Sequence, residues 1–246
     1  MFGGWTQWDG RALRRALGVG ALMVVLAWLV TAATDEGNVA WAVRLGRALP
    51  TTPICAAIGA WLALAPARGR GELLALAALG RSPWQNARAA ALGGAVVAAV
   101  AGLAIATSAR VDVEGFYPAI GGSADVRFDG GAFVDHDSGW RIEADGALAR
   151  ATTPPPVRDA RIPPHGRAAA GLATFLAGLA LALLVAHPGQ QRAAWLGIGA
   201  VAGVAMLFLF QAAAAHRLAP TWAVVPPTLL LAIAASRYRD ARWPTR

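Results

Sequence analysis

Six apolar runs divide the 246-residue chain, and each is close to the length that an α-helix needs to cross a bilayer. A membrane-spanning helix requires about 20 predominantly apolar residues, because each residue rises only about 1.5 Å along the helix axis. This pattern limits the possible folds strongly, since every backbone polar group in lipid must be bonded within the protein. We therefore predict a membrane all-α protein with six transmembrane helices. The predicted spans are residues 16–33, 53–67, 89–107, 168–186, 194–214 and 221–235.

The composition agrees with a membrane protein and argues against nucleic-acid binding. Hydrophobic residues make up 57% of the chain and charged residues only 15%, with a mean hydropathy of +0.48. The net charge of +8 does not indicate nucleic-acid binding, because the arginines stand at the ends of apolar runs and form no basic stripe. The single cysteine, Cys55, excludes an intrachain disulfide and a cysteine-based metal site.

Acidic residues concentrate between the third and fourth runs, which indicates a water-exposed insertion at residues 108–167. Four stretches there alternate polar and apolar residues between glycine-containing turns, a pattern that predicts a small antiparallel β element. These stretches are RVDVEGF, ADVRF, AFVDH and WRIEAD. Prolines in residues 152–165 predict an extended linker back to the membrane. The chain thus divides into a transmembrane half at 1–107, this insertion, and a second transmembrane half at 168–246.

A short helical pattern at residues 70–80 connects the second and third spans. Glu72 stands at its start, where a carboxylate favours the positive end of a helix dipole, and Gly80 provides a C-terminal cap. Between them the pattern is rich in leucine, and arginines flank it on both sides. An ordinary amphipathic helix in a surface loop is an equally good interpretation of these residues alone.

The charge distribution predicts the orientation of the spans. The side that holds the connector and both chain ends receives just over half of the arginines but only three acidic residues, which are Asp9, Glu72 and Asp240. By the positive-inside rule this side is cytoplasmic. We expect a first span that is retained rather than cleaved, both termini in the cytoplasm, and the β element outside it.

The sequence contains few candidates for catalysis or metal binding. No pair of metal-binding or catalytic side chains occurs within a predicted span, which disfavours a membrane-embedded enzyme. His136 between Asp135 and Asp137 is better explained as a solvated turn than as a metal site, because adjacent strand residues point in alternating directions. The chain has no Gly-Lys-Ser/Thr phosphate-binding loop, so we do not expect it to hydrolyse ATP itself.

Two arginines near the outer ends of the first spans are candidates for contact with lipid. Arg44 and Arg47 lie one helical turn apart and are placed to pair with anionic lipid head groups. Ordinary snorkelling of arginine to the membrane interface explains them as well.

Several stretches together resemble the LptF/LptG family of lipopolysaccharide-export permeases. Leu49-Pro50 and the proline-led second span lead to GELLALAALGRSPWQNARAAALGG, which is similar to the family's stretch in which a glutamate opens a short helix. The second half contains VAHPGQQRAAWLGIGAVAGVAMLFLFQ and LAPTWAVVPPTLLLAIAASRYR, which resemble the family's last spans. The resemblance covers residues 49–110 and 168–240, in the family's order of three spans, an extracytoplasmic β domain and three spans.

The resemblance implies a permease subunit of an ABC-type exporter in the bacterial inner membrane. A separate cytoplasmic ATPase would bind ATP, so this chain itself would need no cofactor. A second permease chain, identical or different, would complete the exporter, which extracts a lipid such as lipopolysaccharide. The residues expected to contact the ATPase are Arg70, Glu72, Leu73, Leu76, Leu79 and Gly80.

Residues 108–165 are few for the family's β-jellyroll, so transfer of lipid to a periplasmic bridge protein stays open. The alternative function is a non-transporting membrane scaffold, or a mechanical transmitter partnered with an ATPase.

Overall fold

The computed structural model describes residues 4–34, 41–111, 113, 116–117, 126–129, 132–135, 140–143, 145–150, 165–187, 192–215 and 217–240. Within these ranges the protein is mostly helical, as predicted. Five helical segments are long and apolar enough to cross a membrane. They are Gln7–Thr34, Arg44–Gly69, Pro83–Thr107, Gly166–Ala186 and Gly197–Ala214.

The elements follow one another in the predicted order of helices, strands and helices. The helices are α1 (Gln7–Thr34), α2 (Trp41–Ala48), α3 (Thr52–Gly69), α4 (Glu72–Ala78), α5 (Pro83–Thr107), α6 (Gly166–Ala186), α7 (Arg192–Ala214) and α8 (Val225–Asp240). The strands are β1 (Val126–Asp129), β2 (Ala132–Asp135), β3 (Trp140–Ile142) and β4 (Leu148–Arg150). Short 3-10 helices at Leu49–Thr51 and Pro220–Val224 precede α3 and α8.

The second span is longer than its apolar run. Residues 53–67 were expected to cross the membrane, but the part of α2 from Arg44 onward, the 3-10 turn and α3 form one 26-residue helical segment, Arg44–Gly69. Pro50 and Pro53 do not interrupt it, because each lies in a first helical turn. There the proline lacks only an N–H group that would have no partner within the helix.

The sixth predicted span corresponds to α8, which is shorter than a complete span. Its 16 residues extend about 24 Å, whereas the hydrocarbon core of a bilayer is about 30 Å thick. The 3-10 turn Pro220–Val224 lengthens the helical segment at its start, and α8 packs against α6 and α7. The described residues thus contain five full-length candidate spans, and α8 is a shorter sixth candidate.

Close contacts between glycine and alanine faces hold the long helices together. Helix α6 packs most extensively against α5 and also against α3, while α1 packs against α3 and α5. The buried face of α1 consists of Asp9, Ala12, Ala16 and Gly20, a series of small residues after one aspartate. Small side chains at these contacts let the helix backbones approach closely, which is how helices associate in lipid.

The described residues just after α5 pack on the bundle and do not belong to a strand. RVDVEGF was expected to contribute to the β element, but its described residues Val111, Val113 and Phe116, together with Tyr117, are buried in a cluster with Phe210. The Tyr117 hydroxyl donates to the Gly166 carbonyl (2.7 Å), and Arg167 donates to the carbonyls of Ser108 and Val111. The apolar residues described in this stretch are therefore buried against helices and not in the sheet.

The predicted β element is present as a four-stranded antiparallel meander in the order β1-β2-β3-β4. Three of its strands lie in the predicted stretches ADVRF, AFVDH and WRIEAD, and β4 was not predicted. Gly146, with a φ of 81°, forms the tight turn between β3 and β4. Almost all of the proline-rich linker, residues 152–164, lies outside the described residues.

We expect Gly59→Ala to destabilise the helix bundle. A Cβ atom on Gly59 would lie 2.5 Å from the Ala16 carbonyl oxygen and 2.8 Å from the Gly20 nitrogen, so α1 and α3 would have to separate. The cost of such overpacking is about 1–3 kcal/mol. Thermal unfolding in detergent measures it, with Gly18→Ala as the matched control. Gly18 lies on α1 with nothing within 4 Å of its Cβ position, so this variant should not lose stability. Equal unfolding temperatures for the two variants would contradict this packing.

Candidate functional site

Helix α4 connects α3 to α5 and is capped by glycine at both ends. Gly71 precedes it with a φ of 70°, and Gly80 follows it with a φ of 86°. The C-terminal turn is closed by hydrogen bonds from Arg81 N to Leu76 O (3.0 Å) and from Gly80 N to Ala77 O (2.9 Å). Since glycine adopts positive φ without steric cost, these two glycines set where α4 starts and ends.

Helix α5 begins directly after this turn. Ser82 Oγ accepts a hydrogen bond from Gln85 N (3.2 Å), and Gln85 Oε1 accepts one from Ser82 N (2.9 Å). Pro83 occupies the first helical turn, where its fixed φ suits a helix start. A short hydrogen-bonded turn therefore joins α4 to α5. This turn fixes the position of α4 at this end of the bundle.

The leucines of α4 point in different directions. Leu73 is buried with only 7% of its surface exposed, whereas Leu74 is 69% exposed and Leu79 is 81% exposed. Leu76 is half-buried and Gly80 is exposed. Of the predicted contact leucines, Leu79 is therefore the most accessible, and the sequence interpretation left out the comparably accessible Leu74.

Glu72 at the start of α4 is paired with the arginine just before the helix. Arg70 Nε lies 2.6 Å from Glu72 Oε1, and both side chains are exposed at the surface. This hydrogen bond holds the pKa of the Glu72 carboxyl below its ordinary value. Desolvation of the carboxyl opposes this effect, while the charge of Arg70, the Trp8 indole and the charge of Arg11 lower the pKa further. Glu72 is thus a carboxylate at neutral pH, and its partners are Arg70, just before α4, and Trp8 on α1.

A cavity of about 300 Å³ separates α4 from α1 and α3. Helix α1 contributes Trp8, Arg11 and Arg15 to its wall, and α3 contributes Ala63 and Ala67. The face of α4 that lines it carries Glu72, Ala75, Leu76 and Leu79, and Arg70 lies beside them. We call this cavity the α1–α4 groove. Its charged wall combines three guanidinium groups with one carboxylate.

A buried ion pair joins the start of α5 to the start of α1. Asp9 is fully buried, and its carboxylate lies 2.6 Å from Arg81 and 3.8 Å from Arg88. Thr6 donates to the same carboxylate from its backbone N–H (2.9 Å) and its hydroxyl (2.8 Å). The Arg81 guanidinium also lies over the Trp8 ring, at 5.1 Å from the centroid. Asp9 was predicted only as one of the few acids on this side. Asp9 is the one acidic residue among the arginines and tryptophans of residues 5–15. That pattern was the sequence signal that Asp9 pairs with an arginine in a buried position.

Two other side chains cap the end of α6 on the same side of the bundle. Arg68, at the end of α3, donates to the carbonyls of Val185 (2.9 Å) and Ala186 (3.2 Å). The Tyr238 hydroxyl on α8 donates to the Leu183 carbonyl (2.7 Å). The Val185 and Ala186 carbonyls lie in the last turn of α6, where carbonyl groups have no partner within the helix. The Leu183 carbonyl also accepts a hydrogen bond from His187 N (3.2 Å). The ends of α3, α6 and α8 therefore meet at the α4 end of the molecule.

The ring of Tyr238 also packs against His187, which follows α6, at a centroid distance of 5.0 Å. Burial and the charge of Arg237 lower the pKa of His187 to about 4. His187 is therefore neutral at pH 7 and adds no charge to this end.

Arg44 and Arg47 lie on α2, away from the α4 end. Arg44 is half-buried and Arg47 is exposed, on a short helix that contacts α1 and leads through the 3-10 turn into α3. Their contact with anionic head groups stays a prediction.

Within the described ranges, no three His, Cys, Asp or Glu side chains gather as a metal site. His136 and Asp137 lie outside those ranges, and Cys55 is a buried free cysteine. Comparison of the chain with protein-family models and with curated proteins finds no match.

We expect Asp9→Asn to destabilise the protein, because Arg81 and Arg88 would lose the charge that neutralises them in a mostly buried position. Breaking a buried ion pair costs about 3–5 kcal/mol. Arg81 and Arg88 keep 15% and 13% of their side-chain surface exposed to solvent, which screens their charges, so we expect a cost at the lower end of that range. Thermal or denaturant unfolding in detergent measures the loss. Glu143→Gln removes the exposed Arg141–Glu143 pair and should cost less than about 1 kcal/mol. An Asp9→Asn variant as stable as that control would argue against the buried pair.

We expect Arg70→Gln to raise the pKa of Glu72 toward the ordinary glutamate value. A lowered carboxyl pKa adds stability that is fully present above the unfolded value, about 4.3, and is lost as the pH falls through the folded value. The Arg70–Glu72 contact should thus weaken only in acid. NMR titration of ¹³C-labelled glutamate carboxyls measures this, with Glu72→Gln assigning the signal. Arg14→Gln, outside the groove, should leave the titration unchanged. An unshifted Glu72 titration in Arg70→Gln would contradict the assigned cause.

Proposed function

We propose that this chain is the transmembrane permease subunit of an ABC-type lipid exporter. The observation that carries the proposal is α4, a short helix between two long ones that presents Leu74 and Leu79 to solvent beside Glu72. Large exposed leucines on a capped helix are typical of a surface that a partner protein covers. The proposed partner is a cytoplasmic ATPase, which supplies the ATP-binding site.

The proposed exporter has six spans, with α8 and its 3-10 turn as the sixth, and both termini in the cytoplasm of a bacterium. The order of three candidate spans, a small β-sheet, two candidate spans and the shorter α8 supports the resemblance to the LptF/LptG family. The apolar interior of the bundle suits a lipid substrate such as lipopolysaccharide. A second permease chain would cover part of the exposed apolar surface of α1 and α7, which includes Val30 and Val201.

The test begins with association of the permease and the ATPase. If an ABC-type ATPase is encoded beside this chain, the full-length chain coexpressed with it should copurify that ATPase. Leu74→Asp combined with Leu79→Asp should reduce the copurified ATPase at least about tenfold, because two large leucines leave the interface. Leu148→Asp is the matched control, since Leu148 is 64% exposed on β4 and does not belong to the α4 surface. Equal loss in both variants would contradict α4 as the docking helix.

Lipid-stimulated ATP turnover separates an exporter from a scaffold. In vesicles that contain the permease and the ATPase, added lipid substrate should raise ATP hydrolysis. Glu72→Arg should remove this stimulation while the protein still inserts, because it reverses the charge at the proposed contact. Association with the ATPase without any lipid-stimulated turnover would favour the mechanical transmitter. Absence of any ATPase partner would favour the scaffold.

A further inference from the structure

We propose that the α1–α4 groove binds the phosphate head group of an anionic phospholipid from the adjacent membrane leaflet. The charge of the groove is the first argument. Arg11, Arg15 and Arg70 face one carboxylate, Glu72, so the wall carries an excess of two positive charges. An anion of one or two charges compensates this excess, and guanidinium groups bind phosphate oxygens in a planar, two-bonded geometry.

The arrangement of the arginines on α1 is the second argument. Arg11 and Arg15 are four residues apart, so they project from the same side of the helix on successive turns. Both line the groove, whereas Arg14 on the same turn does not, and its Nε donates to the Gly10 carbonyl instead. Two of the three neighbouring arginines of α1 therefore line the groove, and the third does not.

The position of the groove favours a lipid over a soluble anion. Arg15 directly precedes the apolar run of α1, and Trp8 lies one turn before Arg11. Tryptophan and arginine at this point of a span are typical of the head-group layer. Beyond the groove α1 exposes Leu22, Val25 and Leu26, an apolar surface along which acyl chains can lie. Ala63 and Ala67 of α3 close the groove on its apolar side.

An acidic segment of a protein partner is less well matched to the groove. Leu74, which is 69% exposed, does not line it, so this leucine of α4 remains available to a partner when the groove is filled. The inference rests on the chain lying in a membrane and not on transport. Its test therefore uses the purified chain without an ATPase.

The experiment is a lipid titration of the full-length chain, delipidated in a neutral detergent and followed by native mass spectrometry. Phosphatidylglycerol should bind at least about tenfold more tightly than phosphatidylcholine with the same acyl chains. Each basic residue near an anionic lipid contributes about fivefold, so Arg11→Gln combined with Arg15→Gln should weaken phosphatidylglycerol binding about 25-fold. Arg14→Gln should change the affinity less than about twofold. Unfolding temperatures without lipid should stay unchanged in the double variant and in Arg14→Gln, since all three arginines are exposed.

Three outcomes would overturn the proposal. The first is equal affinity for phosphatidylglycerol and phosphatidylcholine, and the second is an equal loss of affinity in Arg14→Gln and in the double variant. The third is complete displacement of phosphatidylglycerol by millimolar inorganic phosphate or by a soluble glutamate-rich peptide. Phosphate displacement would assign the groove to a soluble anion, and peptide displacement would assign it to a protein partner. Retention of phosphatidylglycerol against both competitors supports the lipid.

Discussion

The rest of the structure depends on direct contact between helix backbones at glycine and alanine. In lipid the apolar surfaces of two helices gain little from leaving their surroundings, so their association depends on van der Waals contact over a large area. Gly59 meets Ala16 and Gly20, and Gly102 meets the backbone of Gly171, at distances that leave no space for a side chain. Helices α1, α3, α5 and α6 thereby form a compact centre. The larger apolar residues of α1 and α7 are left on the outside.

Contacts between small side chains fix the distance between two helices but do little to prevent one helix from sliding along the other. Polar groups at the helix ends fix that position along the axis. At the α4 end, Asp9 holds α1 to α5 through Arg81, and Arg68 holds α3 to α6. These bonds satisfy charges and carbonyl groups that would otherwise be buried without partners. Arg81 directly follows the turn that ends α4, so the same residue anchors α4 to α1. A force on α4 therefore reaches α1 through an ion pair and α5 through the chain itself.

Features that depend on residue types along a long stretch of the chain could be predicted from the sequence. Features that depend on contacts between residues far apart in the sequence could not. Apolar runs predicted the helices, and alternation with glycine turns predicted three of the four strands. The same alternation misassigned Val111 and Val113, because a residue pattern shows that one side is buried but not what covers it. Gly80 and Ser82-Pro83 correctly marked the end of α4 and the start of α5. The burial of Leu73, the exposure of Leu74 and the pairing of Asp9 with Arg81 are set by tertiary packing, which no local pattern encodes.

The two proposals made for the α4 end are thermodynamically linked because they share residues. Leu79 lies on the surface proposed for the ATPase and also on the wall of the α1–α4 groove, and Glu72 lies beside both. If a bound head group moves either side chain, it changes the affinity for the ATPase by some factor. The ATPase must then change the affinity for the lipid by the same factor, because linkage between two binding equilibria is reciprocal. A head group that moves Glu72 away from the surface proposed to contact the ATPase would weaken binding of the ATPase. A head group that leaves Glu72 paired to Arg70 would not. If both proposals hold, the lipid composition of the adjacent leaflet would change the affinity of α4 for the ATPase.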